Sequence, residues 1–282
     1  MRMSHLDYSS VDKKNSIFWS EPCGTNAADN LELNIDNEND LVKFDEWYKL
    51  FYPYLFKYLE GFDLQNMSVL EVGIGMGTVS RYLNERCKQL TLLDIAPGAI
   101  GQVQSTLRNP GNVSFLCESI LEYETDKKFD LVIAIGSLHH TGDLTRALSK
   151  VENLVEKDGK VFVMVYYAFQ PRRIIRHPFR SLHEYLLTRQ IANDSKYAFE
   201  ENDTALRAKA DANREGEAAP YTAFSSRKLF YNRDKFLYEV KLENFHNIPI
   251  FTRLLSRNFF LKYFSKYFGC DIYAIGDEKI HK

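Results

Sequence analysis

Polar and apolar positions divide the chain into stretches of different character. Residues 1–40 are polar and rich in Asn and Asp, which predicts loops, with one ordered clip at "IFWSEPCGTN". From residue 41 to 59 apolar side chains recur at helical spacing: Leu41, Phe44, Trp47, Tyr48 and Phe51, then Tyr54, Leu55 and Tyr58 after Pro53. That spacing predicts one or two amphipathic helices, with the proline as a kink or a fresh start.

A regular alternation follows. Short apolar runs at 68–72, 90–95, 113–117, 129–136 and 160–167 read as strands. Helical patterns fill 78–87, 98–107 and 143–155, the last with Asp143 placed to cap it. Nearly continuous apolar runs are what strands look like when a parallel sheet is covered on both faces. Four alternations of strand and helix imply a right-handed, doubly wound α/β domain. Beyond Tyr167 the alternation stops. Residues 168–226 read as an insertion, helical beyond Pro178 and turn-prone from 202 onward. Then "FLYEVKL" (236–242) reads as a strand, 251–268 as a helix and "CDIYAIG" (270–276) as a last strand. The resulting division is a cover segment at 1–60, a core at 61–167, a substrate-binding insertion or lid at 168–226 and a completion of the sheet at 227–282.

The chemistry concentrates at "VLEVGIGMGTVS" (69–80). Glycines end a buried strand and open a helix, where backbone N–H groups attract a carboxylate or phosphate. The spacing is Gly73, Gly75, Gly77, with Thr78 where a dinucleotide fingerprint has its third glycine. A nicotinamide enzyme is therefore disfavoured. Glu71 stands inside the strand just before the first glycine, an acid that packing does not explain. Asp94 ends the second strand, where a carboxylate can accept hydrogen bonds from both ribose hydroxyls of an adenosine. A plain strand-end acid facing water is the alternative.

Together "VLEVGIGMGTVS", "LTLLDI", "FLCES", "FDLVIAIGSLHHTGD" and "GKVFVMVYY" resemble a class I S-adenosylmethionine-dependent methyltransferase over residues 66–167. The resemblance implies a Rossmann-like seven-stranded sheet whose last strand, from "CDIYAIG", runs antiparallel. It implies S-adenosylmethionine as cofactor and S-adenosylhomocysteine as product. Glu71 to Gly77 would hold the methionine end, Asp94 the ribose, and Ile95 the adenine. Glu118 takes the place of the family's Asp near the end of the third strand, followed by Ser119. Gly136 and Ser137 would lie beside the sulfonium. Thr25 is expected to cover the cofactor from the N-terminal side.

Methyl transfer needs alignment above all, and a base where the nucleophile is a hydroxyl or an ammonium. His139 and His140 in "SLHHTGD", and His183 in the insertion, are the candidate bases; a pair of histidines at this point in the family also serves only to shape the cofactor pocket. No metal is required. Tyr166, Tyr167, Arg172, Arg173 and Tyr221 are candidate substrate contacts. Arg172, Arg173 and Arg176 can engage a carboxylate or phosphate bidentately, or simply solvate a helix face.

Charge narrows the partners. The formal net charge is −2, which argues against a nucleic-acid-coated protein. Residues 26–46 hold seven acids and one Lys, residues 171–190 five Arg and one Glu, and residues 227–268 nine basic residues against three acids. Such runs are ordinarily solvated faces; the alternative is a basic rim that receives an anionic substrate. The cysteines, at 23, 87, 117 and 270, lack metal-ligand spacing, and no signal peptide or apolar span is evident, so a cytoplasmic protein with reduced thiols is expected. The leading expectation is an enzyme that methylates an oxygen or nitrogen of a small or sugar-like molecule. A transfer-RNA methyltransferase and a non-catalytic cofactor-binding subunit are the alternatives. Oligomeric state is not legible.

Overall fold

The computed structural model describes residues 8–189, 197–245 and 256–279. A seven-stranded sheet runs in the order β3-β2-β1-β4-β5-β9-β8. Its strands are β1 (Ser68–Val72), β2 (Gln89–Asp94), β3 (Val113–Cys117), β4 (Phe129–Ile135), β5 (Val155–Tyr166), β8 (Phe236–Glu243) and β9 (Asp271–Glu278). β1 to β5 are mutually parallel. β9 is antiparallel to both β5 and β8, so the reversed last strand lies between its neighbours rather than outside them. The chain walks from β1 out to β3, then restarts beside β1 with β4. That reversal opens a crevice beyond the carboxyl ends of β1 and β4, where ligands of such sheets bind.

Alternate side chains of each strand serve opposite layers. Leu70, Val72, Val132, Ala134, Val161 and Val163 pack with α7 (Leu144–Asn153) through Leu144, Ala147, Leu148 and Val151. The Asp143 Oδ1 accepts the Arg146 N–H at 2.9 Å and caps that helix. Val69, Leu131, Ile133 and Phe162 face the other layer. There they meet α4 (Pro53–Leu59), α5 (Thr78–Asn84) and α6 (Pro97–Thr106). Pro53 starts a helix directly after α3 (Glu38–Phe51), because a first-turn residue needs no N–H partner.

The N-terminal segment departs from expectation. Residues expected to be loops form α1 (Tyr8–Phe18) and α2 (Thr25–Asn30). Among the described side chains of α1 only Asn15 is fully buried, so no apolar stripe announces the helix. Elsewhere the boundaries shift by a few residues. β5 starts five residues early, passing through Asp158 at φ 65° and a register shift opposite β4. The helix expected at 251–268 falls partly on 251–255, outside the described residues; from 257 it is two short helices, Arg257–Tyr263 and Ser265–Phe268.

Between β5 and β8 lie α8 (Pro171–Arg176), α9 (Pro178–Arg189), β6 (Ala198–Glu200), α10 (Thr204–Ala210), β7 (Ala223–Ser225) and α11 (Lys228–Tyr231). β6 and β7 pair antiparallel, and the Ala168 N–H donates to the Ser225 carbonyl at 2.8 Å, which joins this small ribbon to the end of β5. No helix among the described residues is long and apolar enough to cross a membrane.

Candidate active site

A cavity of about 470 Å³ opens above β1 and β4. Its size is that of a small-molecule site. The glycine turn forms its floor. Gly73, Gly75 and Gly77 have φ of 79°, 50° and 81°, all left-handed. A Cβ on Gly73 would lie 2.2 Å from the Ser137 Cβ, and one on Gly77 would lie 2.6 Å from Val103 Cγ2 of α6. These two glycines let neighbouring elements close up. A Cβ on Gly75 would meet nothing nearer than Cys23 at 3.5 Å, so there the bare backbone serves the cavity itself.

Asp94 holds this turn. Its Oδ2 accepts the Ile74 N–H at 2.8 Å and its Oδ1 accepts the Ala96 N–H at 2.9 Å. The Gly75 and Ile95 amides also face this carboxylate. Burial raises the pKa of this carboxyl, and the amides oppose the shift. Glu71 is also buried, accepting the Ser80 hydroxyl at 2.7 Å. Burial pushes its pKa up to about 8. The Ser137 hydroxyl donates to the Val72 carbonyl at 2.6 Å and fixes the start of the loop after β4.

All eleven residues expected at the cofactor line this cavity: Thr25, Glu71, Gly73, Gly75, Gly77, Asp94, Ile95, Glu118, Ser119, Gly136 and Ser137. The candidate catalytic and substrate residues separate. His140 and Tyr166 line the wall. His139 is fully buried behind it, its ring 4.1 Å from that of Tyr166, and burial drives its pKa well below the usual imidazole value. His183 lies exposed on α9, away from the cavity. Tyr167, Arg172 and Tyr221 are not on the wall, although the Tyr221 carbonyl lies 2.7 Å from His140 Nδ1.

Arg173 is an internal strut. It is wholly buried, donates from Nε to Glu201 at 2.8 Å, and pairs with Glu184 through both terminal nitrogens. Arg180 completes the cluster from Glu184 to Glu201. Arg176 pairs with Asp203 on the outside. None of the three reaches the cavity, so the basic segment is consumed in holding the insertion together.

Residues that sequence reasoning did not single out supply the far wall. Asp211 accepts the Tyr166 hydroxyl at 2.9 Å and lies 3.4 Å from His140 Nε2. Asp271, at the start of β9, accepts the Asn244 amide at 2.8 Å, while its Oδ1 has no partner; burial pushes its pKa up to about 7. Trp19 packs its ring 4.9 Å from His140. The roof is a seam between distant parts of the chain. Asn26 donates to the Ala212 and Asn213 carbonyls, and Arg214 pairs with Asp29. Seven Asp or Glu residues and one Lys line the cavity, and although burial holds Glu71 largely and Asp271 partly protonated near neutral pH, acids still outnumber bases, so the lining suits a cationic or neutral occupant over an anion.

Comparison with known proteins agrees with this arrangement. A family model described as a methyltransferase domain matches residues 69–159. Nodulation protein S of Rhizobium tropici is 27% identical over 88 residues, which are 31% of this chain and 37% of that protein. A malonyl-[acyl-carrier protein] O-methyltransferase of Acetivibrio thermocellus is 34% identical over 106 residues, 36% of this chain and 37% of that protein. The chain therefore matches well under half the length of these relatives. Among solved structures, an S-adenosylmethionine-dependent methyltransferase from Mesorhizobium loti superposes with a TM-score of 0.56 at 14% identity, covering 80% of this chain and 96% of that one. A complex of DhpI with SAM and HEP gives 0.53 at 15% identity, covering 98% and 99%. Sheet order, glycine turn and family match agree: residues 69–159 match a methyltransferase domain, and the chain shares the fold of solved S-adenosylmethionine-dependent methyltransferases.

Proposed function

We propose that this chain transfers a methyl group from S-adenosylmethionine to an oxygen or nitrogen atom of a small, non-anionic acceptor, such as an amine or a sugar-like alcohol. The observation that carries this reading is the cavity whose floor is the bare turn at Gly75 and whose far wall presents His140, Tyr166, Asp211 and Asp271. The residues fit the cofactor on their own chemistry. Backbone at Gly73–Gly77 would take the methionine end, Asp94 the ribose, and Ile95 and Glu118 the adenine. A sulfonium suits a wall rich in carboxylates. Bound there, the cofactor would supply an activated methyl group together with its own leaving group.

The work left to the protein is placement. Holding a nucleophile in line with a methyl group is worth up to about 7–11 kcal/mol without further chemistry. Tyr166, Asp211 and His140 would orient the acceptor and receive hydrogen bonds from its O–H or N–H. The insertion at 168–226 would act as the substrate-binding cover, since residues 208–213 reach the wall. An O-methyltransferase among the relatives makes an oxygen acceptor reasonable, and the carboxylates of the wall make an amine equally so.

Calorimetry with S-adenosylhomocysteine tests the site. Binding in the micromolar range is expected, and Asp94→Asn should weaken it by at least about tenfold, because an amide cannot accept from both Ile74 and Ala96. Affinity unchanged in that variant would reject the cofactor placement. Transfer of labelled methyl from the cofactor into an amine or polyol panel tests the reaction.

A further inference from the structure

Three buried ligand atoms converge where the loop after β4 meets the turn after α10. One ring nitrogen each of His139 and His140 and a carboxylate oxygen of Asp211 all lie within 4.8 Å of one another. From this geometry we infer that His139, His140 and Asp211 form a binding site for a divalent transition-metal ion, Zn²⁺ in the first instance.

The hydrogen bonding around the cluster carries the inference. His140 Nδ1 lies 2.7 Å from the Tyr221 carbonyl, an acceptor, so Nδ1 bears the hydrogen. A neutral His140 then turns a lone pair on Nε2 toward Asp211 Oδ2, 3.4 Å away, and that Nε2 has no hydrogen-bond partner. A backbone carbonyl on the far ring nitrogen is the support that ligating histidines ordinarily receive. An imidazolium donating to Asp211 would close to about 2.7–2.9 Å. Two donors sharing one tetrahedral Zn²⁺, at bond lengths of about 2.0–2.2 Å, sit instead about 3.3–3.6 Å apart. His139 supplies the second observation. It is fully buried and neither of its ring nitrogens has a partner, a cost that coordination would relieve at one of them.

Two imidazoles and one carboxylate suit Zn²⁺ or a similar borderline cation, and three protein ligands leave an open position. His140 and Asp211 both line the cavity, so that position faces the acceptor side. The Tyr166 hydroxyl, bonded to Asp211 Oδ2, orients the carboxylate. Such an ion would replace the expectation, drawn from the sequence, that no metal takes part. The site stands apart from the methyl-transfer reading, because metal binding is measured without cofactor or acceptor.

The test uses the full chain, stripped with a chelator and titrated with Zn²⁺ against a chromophoric competitor, then with Co²⁺ for its visible spectrum. One equivalent of Zn²⁺ should bind, and Co²⁺ should give the intense bands of a four- or five-coordinate nitrogen and oxygen site. Asp211→Asn and His139→Asn should each lower affinity at least about tenfold. Wild-type binding no tighter than that of Asp211→Asn would overturn the site. Should both variants fail to fold, the wild-type Co²⁺ spectrum decides: the weak bands of the six-coordinate aqueous ion would overturn it equally.

Discussion

Gly73→Ala separates the steric demands of the turn from its chemistry. Gly73 has φ 79°, and its backbone N–H donates to the Leu93 carbonyl at 2.8 Å, so the residue cannot rotate away without losing a sheet bond. An L-residue in that region costs about 1–2 kcal/mol. The added methyl would lie 2.2 Å from the Ser137 Cβ, an atom tied directly to backbone. Overpacking of that kind costs a further ~1–3 kcal/mol. The expected loss is about 2–5 kcal/mol, a large part of the ~5–15 kcal/mol that holds an ordinary domain together. Urea unfolding followed by fluorescence reads it. Ser137→Gly removes the obstructing atom but also the hydroxyl that donates to Val72, costing about 1 kcal/mol by itself. In the double variant the clash disappears while the φ penalty stays, so a coupling of about 1–3 kcal/mol should appear. Gly75→Ala, with φ 50° and its nearest contact at 3.5 Å, should cost only the conformational share. A Gly73→Ala loss below about 0.5 kcal/mol, or additive single and double variants, would refute the reasoning.

Further outcomes follow from other buried groups. Arg173→Ala removes the buried cation between Glu184 and Glu201 and leaves them only the partly exposed Arg180, and should cost about 3–5 kcal/mol in chemical denaturation while leaving S-adenosylhomocysteine affinity unchanged where the variant is folded. Reduced affinity at full occupancy of the fold would restore Arg173 to the site. Glu71 and Asp271 have folded pKa values raised to about 8 and about 7. The unfolded chain loses these protons first, so the stability they contribute is complete below about pH 4 and is lost as pH rises through those folded values. His139 works in the opposite sense but only below its unfolded pKa of about 6.5. The melting temperature of the ligand-free protein should therefore fall between pH 6.5 and 8.5, and Glu71→Gln should flatten that slope; a wild-type profile that rises across the window contradicts the assignment.

What could be read in advance divides along physical lines. Runs such as "LVIAI" and the 3–4 spacing in α7 reflect burial by apolar surface, which a linear pattern records faithfully. α1 escaped because its fully buried position is Asn15, whose amide donates to the His140 carbonyl at 2.7 Å, a purchase on the site that hydropathy cannot register. The glycine turn and Asp94 were legible because backbone freedom and strand-end acids have few other uses. Asp211 was not. It stands in a small, polar stretch, and only the pairing of β6 with β7 and the anchoring of β7 at Ala168 carry that stretch back over the strand tips. The arginines misled for the reverse reason. Nothing in "PRRIIRHPFR" foretells that Glu184 and Glu201 will neutralise Arg173 in the interior.

The seam joining Asn26 and Asp29 to residues 212–214 makes one part of the roof sensitive to ionic strength. Two stretches about 185 residues apart in sequence meet there through an ion pair that is roughly half exposed on both sides. Pairs so placed contribute only about 0–1 kcal/mol and weaken as salt is added. Added salt should therefore loosen the outer part of this roof while the Asn26 hydrogen bonds to residues 212 and 213 persist.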